Sequence, residues 1–431
     1  MQPRERAYEG LLRAGRAVLA RGWGHAGLAR ALAGRRAALP HLEAWAATSR
    51  SDGPLLLVHA PSVGEALMAQ AIIGAVRAAK PHVQVAFTFF SPSAERIAAH
   101  TGADVWSYLP WDTTRDATRL LDALRPSAIG FVRTETWPVL GALAAARGVR
   151  TLLLNAVLAE GSSRLSAPAR YLLGPAYRRL DGIGAVAIDD AARFAAFGVP
   201  HDRVHVTGDA RFDQVAARIA ALDRDSALLA RLRAPGRVTL VAGSTWPGDE
   251  RALAGAFRAL AVAERPRLVV APHQPTAEHL DGAERTLRSA GIEVRRLADV
   301  ERDVAPPRGA SEAAVLVDRV GVLADLYAIA DVAYVGGGFG RDGLHSVVEP
   351  AALGVPVLYG PRHGNAREAG ELARTDGGIV VTATSLSTAL GELVRSAEAR
   401  ARRGERAAAF VAERLGGAAA NAALLLDALP A

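Results

Sequence analysis

Cysteine is absent from the sequence, and Lys80 is the one lysine among its 51 basic residues. The missing cysteine excludes disulfide bonds, thiolate zinc sites and thiol catalysis. No run of 18 or more apolar residues occurs, so we do not expect a membrane-spanning helix. No H-E-x-x-H motif is present, and Asp223 and Asp225 lie in a predicted helix, where residues two apart project in different directions. We therefore expect a site that works without a metal or another cofactor.

The 431 residues are 50% hydrophobic and 22% charged, which indicates two or three globular domains and excludes an intrinsically disordered chain. The formal net charge of +7 is concentrated at the N-terminus, because residues 1–50 contain nine arginines against three glutamates. The rest of the chain is nearly neutral and has no aromatic stacking motif. Nucleic acid is therefore not an expected partner.

The basic segment, residues 1–50, has the pattern of an interrupted helix and lacks the apolar core of a signal peptide. Its arginines alternate with apolar side chains, namely Leu11, Leu12, Val18, Leu19, Trp23, Leu28 and Leu32. One interpretation is an amphipathic segment in an anionic membrane interface. The other is a solvated basic helix that packs on its own domain. The residues alone leave both open.

From residue 54 onward, short Val/Ile/Leu runs alternate with helical stretches, which is typical of βαβ units and a parallel sheet. One series of runs extends from residues 54–60 to 204–206, with its sixth run at 184–188, and a second from 238–242 to 379–381. The stretch 214–236 between them ends in Ala-Pro-Gly and marks a boundary. We predict two Rossmann-like α/β domains, at 51–213 and 237–431, that face a central crevice in which ligands bind beyond the carboxyl ends of the strands.

The first predicted strand runs into a helix through residues 59–65, His-Ala-Pro-Ser-Val-Gly-Glu. Ser62 and Glu65 fit a capping box, which would give both a purely structural role. Alternatively, Glu65 stands at the mouth of the crevice, where a carboxylate can take a proton from a hydroxyl. A third interpretation is a nucleophile elbow, although Ala60 replaces its first glycine.

The second half has three strand-to-helix turns that suit an anion. Residues 336–343 contain the pattern Gly338-x-Gly340-x-x-Gly343 but lack the ribose-binding acid of a dinucleotide site near residues 358–362. What remains is a glycine loop, including Gly337, before a helix N-terminus near His345, with Glu349 one turn into the helix. A second turn, residues 243–250, carries Ser244 and Thr245. His273 and the separate run at residues 360–368 complete the set.

Taken in order, these segments resemble the 3-deoxy-D-manno-octulosonic acid (Kdo) transferases of lipopolysaccharide synthesis. The resemblance covers residues 54–381. It is carried by Ser-Val-Gly-Glu at 62–65, by Glu135 within Arg-Thr-Glu-Thr-Trp-Pro at 133–138, and by Gly-Asp-Ala-Arg-Phe-Asp at 208–213. A long block from residue 326 through 349–357 to Gly364-Asn365 completes it.

The resemblance implies a GT-B fold and inverting transfer of Kdo from CMP-Kdo to the lipid A precursor, lipid IVA. It assigns Glu65 as general base and Glu135 as a second acid that helps to hold the acceptor or the base. Ser62, Gly64, Asn155 and Arg164 would lie at the acceptor. The CMP-Kdo pocket would be formed by Arg211, Ser244, Thr245, His273, Gly337, Gly338, His345, Ser346, Glu349 and Asn365.

The sequence departs from the family pattern at residues 155–162, where Val157 and Gly161 replace two arginines and Arg164 follows shortly. Arg133 replaces the first acid of its motif, and Leu344 and Ser346 alter the Gly-Gly-His-Asn pattern. These changes concern substrate contacts, so the number of sugars transferred stays open. The expected location is the cytoplasmic face of the inner membrane, peripherally bound, with the anionic membrane surface as a partner.

Two other functions remain open. One is a GT-B enzyme that uses a UDP-linked donor, because a fold alone does not specify the donor. The other is a non-catalytic nucleotide- or lipid-binding relative, against which the presence of Glu65 and Glu135 argues.

Overall fold

The computed structural model describes residues 5–12, 26–302 and 313–430. It divides into two compact α/β units, each built on one parallel sheet. Unit 1 comprises Met1–Gln214 together with Arg414–Ala431, and unit 2 comprises Val215–Glu413. The predicted fold class, two parallel-sheet α/β domains, is confirmed.

Unit 1 contains seven parallel strands. They are β1 (Leu55–Ala60), β2 (Gln84–Phe89), β3 (Val105–Tyr108), β4 (Ala128–Val132), β5 (Arg150–Ala156), β6 (Gly182–Ala185) and β7 (Val204–Val206). The helices of unit 1 are α1 (5–12), α2 (Ala26–Ser49), α3 (Val63–Ala79), α4 (Glu95–Ala98), α5 (Thr114–Leu124), α6 (Pro138–Ala146), α7 (Ala167–Arg179), α8 (Ile188–Arg193), the start of α9 (Ala210–Ala220) and the last helix, α19 (Gly417–Asp427). The strand order is β3-β2-β1-β4-β5-β6-β7, so the chain reverses its direction of winding between β1 and β4.

Helices cover both faces of this sheet, which is why its strands consist of continuous apolar runs. In β1, Leu56 and Val58 pack with α3 and α19, whereas Leu55 and Leu57 pack with α2, α5 and α6. Ligands of doubly wound sheets bind beyond the carboxyl ends of the strands near the reversal point. The start of α3, which carries Glu65, and the loop after β4, which carries Glu135, lie there.

Unit 2 repeats the same architecture. Its strands are β8 (Thr239–Thr245), β9 (Arg267–Pro272), β10 (Val294–Arg296), β11 (Ala314–Leu316), β12 (Val332–Val335), β13 (Val357–Tyr359) and β14 (Gly378–Val380). Its helices, after the end of α9, are α10 (Ala227–Leu232), α11 (Pro247–Ala259), α12 (Ala277–Arg288), α13 (Leu297–Glu301), α14 (Leu323–Leu326), α15 (Val348–Ala352), α16 (Arg367–Arg374), α17 (Leu386–Arg395) and α18 (Ala397–Ala412). The strand order is β10-β11-β9-β8-β12-β13-β14, and the reversal lies between β8 and β12.

The division of the chain differs from the predicted one at two places. The stretch 214–236 is not a separate linker, because Leu229 and Leu232 of α10 are buried in the core of unit 2. The C-terminal residues do not all belong to the second domain, because Ala422 and Leu425 of α19 are buried in the core of unit 1. An amphipathic pattern shows that a helix has a buried face but not which sheet covers it.

Helix α2 packs partly on its own domain, as the second interpretation expects, because Ala31, Ala38, Leu39 and Leu42 are buried in unit 1. Of the apolar residues that the first interpretation names, Leu28 and Leu32 are half-buried and Leu11 of α1 is 69% exposed. The part of the prediction that rests on Val18, Leu19 and Trp23 lies outside the described residues.

Among the described residues, one stretch, Ala397–Asp427, is long and apolar enough to cross a membrane by length and composition, with a mean hydropathy of 1.2 in an 18-residue window. In the structure it forms two helices, α18 and α19, interrupted between Ala412 and Gly417. Five of the eleven residues of α19 are buried, and of these Ala418, Ala422 and Leu425 belong to the core of unit 1.

Candidate active site

Glu65 lies in the first turn of α3, directly after β1. The Ser62 hydroxyl donates a hydrogen bond to the Glu65 carboxylate. Ser62 makes no side-chain bond to a helix amide, so the predicted capping box does not form. The partly exposed carboxylate of Glu65 is therefore oriented by Ser62 and is not consumed in capping the helix, which favours the proton-accepting interpretation.

The nucleophile elbow finds no support in the geometry around Ser62. A serine nucleophile needs a base within hydrogen-bonding reach, and the nearby candidate would be His59. His59 is buried, with its Nδ1 3.1 Å from the Thr88 hydroxyl and no partner for its Nε2 in the part of the chain that the structure describes. Burial, with the charge of Arg35, lowers the pKa of His59 to about 3.

Glu135 follows β4, after Arg133, which adopts a positive φ of 77°. Arg164 Nη2 lies 3.9 Å from Glu135 Oε1. Burial raises the pKa of Glu135, and the nearby charge of Glu65 raises it further, whereas Arg164 and Arg35 oppose the shift. The structure thus brings the two predicted acids and Arg164 into one electrostatic neighbourhood at the carboxyl edge of the sheet.

Arg35 of α2 belongs to the same neighbourhood, although the sequence did not single it out. It is 5% exposed, and its guanidinium lies 3.8 Å from the centroid of the Phe90 ring and 4.8 Å from that of Trp111. Burial lowers the pKa of Arg35 to about 10, and the negative charge of Glu135 opposes that shift. A pattern of apolar spacing gives no sign that an arginine is buried, because the stacking rings come from distant segments.

Asn155, predicted at the acceptor, has a structural role instead. Its side chain is fully buried, accepting from the amide of Ala210 at 2.7 Å and donating to Asp209 at 3.1 Å. Its own amide donates to the side chain of Asn421 at 2.7 Å. With all these groups paired, Asn155 joins β5 to α9 and α19 and has no atom left for a substrate. Gly64, by contrast, is exposed, with open space where a side chain would be.

Unit 2 contains a cavity of about 320 Å³ beyond the carboxyl ends of β8, β9 and β12. Five of its lining residues were predicted from the sequence: Ser244, His273, His345, Ser346 and Glu349. The sequence missed the other lining residues, which are Arg218, Gly321, Leu323, Ala324 and Tyr327. Arg218 was missed because residues 214–236 were predicted to be a linker, and Tyr327 was not among the predicted donor-site residues.

Two stacked histidines form one side of this cavity. The rings of His273 and His345 lie 4.1 Å apart, and Trp246 Nε1 donates to His345 Nε2 at 3.2 Å. Burial lowers the pKa of both histidines, that of His345 to about 4. His345 is therefore neutral at pH 7 and, with its Nε2 accepting from Trp246, carries its proton on Nδ1. The pair presents flat, uncharged rings to a ligand.

The predicted glycine loop serves mainly to bring three loops into contact. Gly337 has a φ of 98°, and a side chain at Gly338 would lie 2.6 Å from the backbone nitrogen of Gly360. Asp249 is fully buried and accepts from the amides of Gly337 and Trp246, both at 2.9 Å, and from the Tyr334 hydroxyl at 2.7 Å. Asp249 thereby links the Gly337 loop to Trp246, the partner of His345.

Several predicted donor-site residues do not line the cavity. The Thr245 hydroxyl is buried and donates to Glu250 at 3.0 Å, and the Asn365 side chain bonds both backbone groups of Leu344 at 2.9 Å. Both support the loops from behind. Arg211 lies in unit 1, where it pairs with Asp209 at 2.8 Å. The helix expected near His345 begins at Val348, so Glu349 is in its first turn.

The sequence predicts a helix at Asp223 and Asp225. The structure instead places both residues in the turn between α9 and α10. The amide of Asp225 donates to the Asp223 carboxylate at 3.0 Å, which is a local turn contact. Among the residues described, no group of three or more histidines and acids could hold a metal ion.

The solved structure of UDP-GlcNAc 2-epimerase from Neisseria meningitidis is similar to this chain, with a TM-score of 0.60 at 11% sequence identity. The similarity covers 87% of this chain and 99% of that chain. At this identity it establishes the fold, which is of the GT-B type, and no more.

Sequence comparison identifies the family. The family model for 3-deoxy-D-manno-octulosonic-acid transferase (kdotransferase) matches residues 33–214. The 3-deoxy-D-manno-octulosonic acid transferase of Bordetella pertussis is 30% identical over 75% of this chain and 76% of its own length. That of Haemophilus influenzae is 28% identical over 81% of each chain. The chain therefore belongs to the 3-deoxy-D-manno-octulosonic acid transferase family and is a glycosyltransferase of the GT-B fold.

Proposed function

We propose that this glycosyltransferase transfers Kdo from CMP-Kdo to the lipid A precursor, lipid IVA, with inversion at the transferred carbon. Membership in the Kdo transferase family supports the transferred sugar. The observation that carries the proposal in the structure is the convergence of Ser244, His273, His345 and Glu349, from three separate strand ends, on one cavity. Its volume of about 320 Å³ lies within the range of small-molecule sites.

The chemistry of the cavity suits a nucleoside monophosphate. Arg218 supplies a cation, although it lies 3.8 Å from Asp325, and Ser244 and Ser346 supply hydroxyl donors for phosphate oxygens. Glu349 can accept hydrogen bonds from ribose hydroxyls. These fixed donors would stabilise the negative charge of the departing CMP.

Glu65 is the proposed general base. As the acceptor oxygen forms its bond to the anomeric carbon of Kdo, Glu65 takes the hydroxyl proton, and the bond from that carbon to the CMP phosphate oxygen breaks on the opposite side. Ser62 holds the Glu65 carboxylate in position. Because Glu65 and Glu135 repel each other when both are ionised, a proton on Glu65 relieves that repulsion. Glu135 and Arg164 would hold the acceptor beside the base.

We further propose peripheral attachment to the cytoplasmic face of the inner membrane, where an acylated acceptor would be presented. The arginine excess of residues 1–50 supports attraction to an anionic surface. Ala38, Leu39 and Leu42 of α2 are buried in unit 1, so these side chains do not insert into the bilayer.

The test is an assay of the purified protein with CMP-Kdo and lipid IVA, followed by mass analysis of the glycolipid. The proposal predicts an acceptor mass increased by one or more Kdo units, and tighter calorimetric binding of CMP than of UDP. Tighter binding of UDP would favour a UDP-linked donor. Binding of CMP without any product would indicate a non-catalytic relative.

A further inference from the structure

A second cavity, of about 560 Å³, lies in unit 1 between α2 and the start of α5. Four arginines line it, Arg35 and Arg36 from α2 and Arg115 and Arg119 from α5, against one acid, Asp116. We call it the arginine cavity. None of the roles assigned to Glu65, Glu135 or the unit 2 cavity uses it.

The positive charge of the arginine cavity is only partly neutralised. Arg119 is satisfied, because its Nε and Nη2 bind the Glu43 carboxylate at 2.9 and 2.7 Å. Arg36 and Arg115 are exposed and make no ion pair within the described residues. Arg35 is buried, and its Nη2 has no hydrogen-bond partner in that part of the chain. A buried guanidinium nitrogen without a hydrogen-bond acceptor is costly, so an anionic ligand that reaches Arg35 would be favoured here.

The helix amides of α5 are not the anion site. Glu9 of α1 accepts from the Thr114 amide at 2.9 Å and from the Thr114 hydroxyl at 2.7 Å, and Thr113 caps the same helix. An anion in the cavity would therefore be held by guanidinium groups, whose planar donors match the oxygens of a phosphate.

Arg35 connects the arginine cavity to the candidate acceptor site. Arg35 lines the cavity, and its positive charge also lowers the pKa of Glu135, against the effect of burial. Trp111, Leu39 and Pro40 give the same cavity an apolar wall. A molecule held here would carry both a phosphate and an apolar part.

We propose that the arginine cavity binds a phosphate monoester of the glycolipid whose hydroxyl Glu65 deprotonates. This inference rests on the proposed function and names a subsite for its acceptor. The phosphate, held by Arg36 and Arg115 with Arg35 behind them, orients the acceptor sugar towards Glu65 and Glu135.

The test compares R36A/R115A with the wild type and with R224A/R402A, which removes the same charge from exposed arginines of unit 2. Each protein is assayed on lipid IVA and on its enzymatically dephosphorylated form. The wild type should show a KM about tenfold lower for the phosphorylated acceptor, the effect of roughly one charge-assisted hydrogen bond. R36A/R115A should lose that preference while keeping its kcat, and R224A/R402A should keep it. An unchanged preference in R36A/R115A would refute the subsite.

A binding experiment separates this inference from the proposed function. Dodecyl phosphate, below its micelle concentration, should bind the wild type and R224A/R402A saturably and R36A/R115A at least about tenfold more weakly. If dodecyl phosphate binds in this way but no Kdo is transferred, the phosphate site is supported and the proposed transfer is wrong. If R36A/R115A instead loses binding to phosphatidic acid vesicles but keeps its acceptor preference, the cavity recognises a bilayer headgroup and the acceptor subsite is wrong.

Discussion

Asp249 offers a direct test of how the donor cavity is built. Its buried carboxylate accepts from two amides and one hydroxyl, those of Trp246, Gly337 and Tyr334. Asp249→Ala leaves all three donors without an acceptor. At about 1 kcal/mol or more for each, we expect the free energy of unfolding to fall by roughly 3 kcal/mol or more.

Asp249→Asn should cost less, about 1 kcal/mol. Its amide oxygen can accept from the two backbone amides while its nitrogen donates to the Tyr334 oxygen, so only the charge is lost. Asp249→Ala should also weaken CMP binding, because the Gly337 loop and Trp246, which orients His345, lose their shared anchor. Asp249→Asn, which keeps these hydrogen bonds, should weaken CMP binding less. Asp225→Ala, at an aspartate side chain 95% exposed, should change stability by no more than about 0.5 kcal/mol.

Urea denaturation and CMP calorimetry provide the measurements. The expected order of stability is wild type and Asp225→Ala, then Asp249→Asn, then Asp249→Ala. The reasoning would be refuted if Asp249→Asn and Asp249→Ala were as stable as Asp225→Ala and bound CMP as tightly. Should Asp249→Ala fail to fold, Asp249→Asn still decides the question.

The remaining predictions concern pH and membranes. The free energy of unfolding should fall as the pH drops from about 6.5, the usual pKa of histidine, to about 4, because His345 and His59 stay neutral in the folded protein and take up protons on unfolding. In urea titrations at several pH values, His59→Gln should show a smaller decrease in the free energy of unfolding over this pH range than the wild type. An equal decrease in the two proteins would contradict the role given to His59. Arg13→Glu/Arg16→Glu/Arg21→Glu should reduce sedimentation with phosphatidylglycerol vesicles, whereas Arg224→Glu/Arg258→Glu/Arg402→Glu, which carries the same charge change, should not. Equal sedimentation of these two triple variants would contradict a membrane role for residues 1–50. Deleting residues 1–40 would be a poor test, since it removes the buried Leu39.

The sheets were predictable from the sequence because strands buried on both faces form continuous apolar runs. The sixth run was misplaced, expected at 184–188 but found as Gly182–Ala185. Its apolar pattern continues into Ile188, which begins α8 and is 75% exposed. An exposed isoleucine and a buried one are indistinguishable in a single sequence.

The site was only partly predictable, for reasons of distance along the chain. Residues placed directly after strands, such as Glu65 and His345, could be grouped because parallel strands share one carboxyl edge. Asn155 could not be recognised as structural, because its partner Asn421 is 266 residues away. Arg35 was missed for the same reason, since the rings that stack on it come from other elements, whereas Arg218 was missed because residues 214–236 were predicted to be a linker.

Glu65 is the residue on which the proposed chemistry depends most directly. Glu65→Gln keeps the size of the side chain and a hydrogen bond with Ser62 but cannot accept the proton. We predict that this variant binds CMP-Kdo with wild-type affinity in calorimetry and loses Kdo transfer to lipid IVA by about 100-fold or more. Transfer at the wild-type rate by Glu65→Gln would contradict the account.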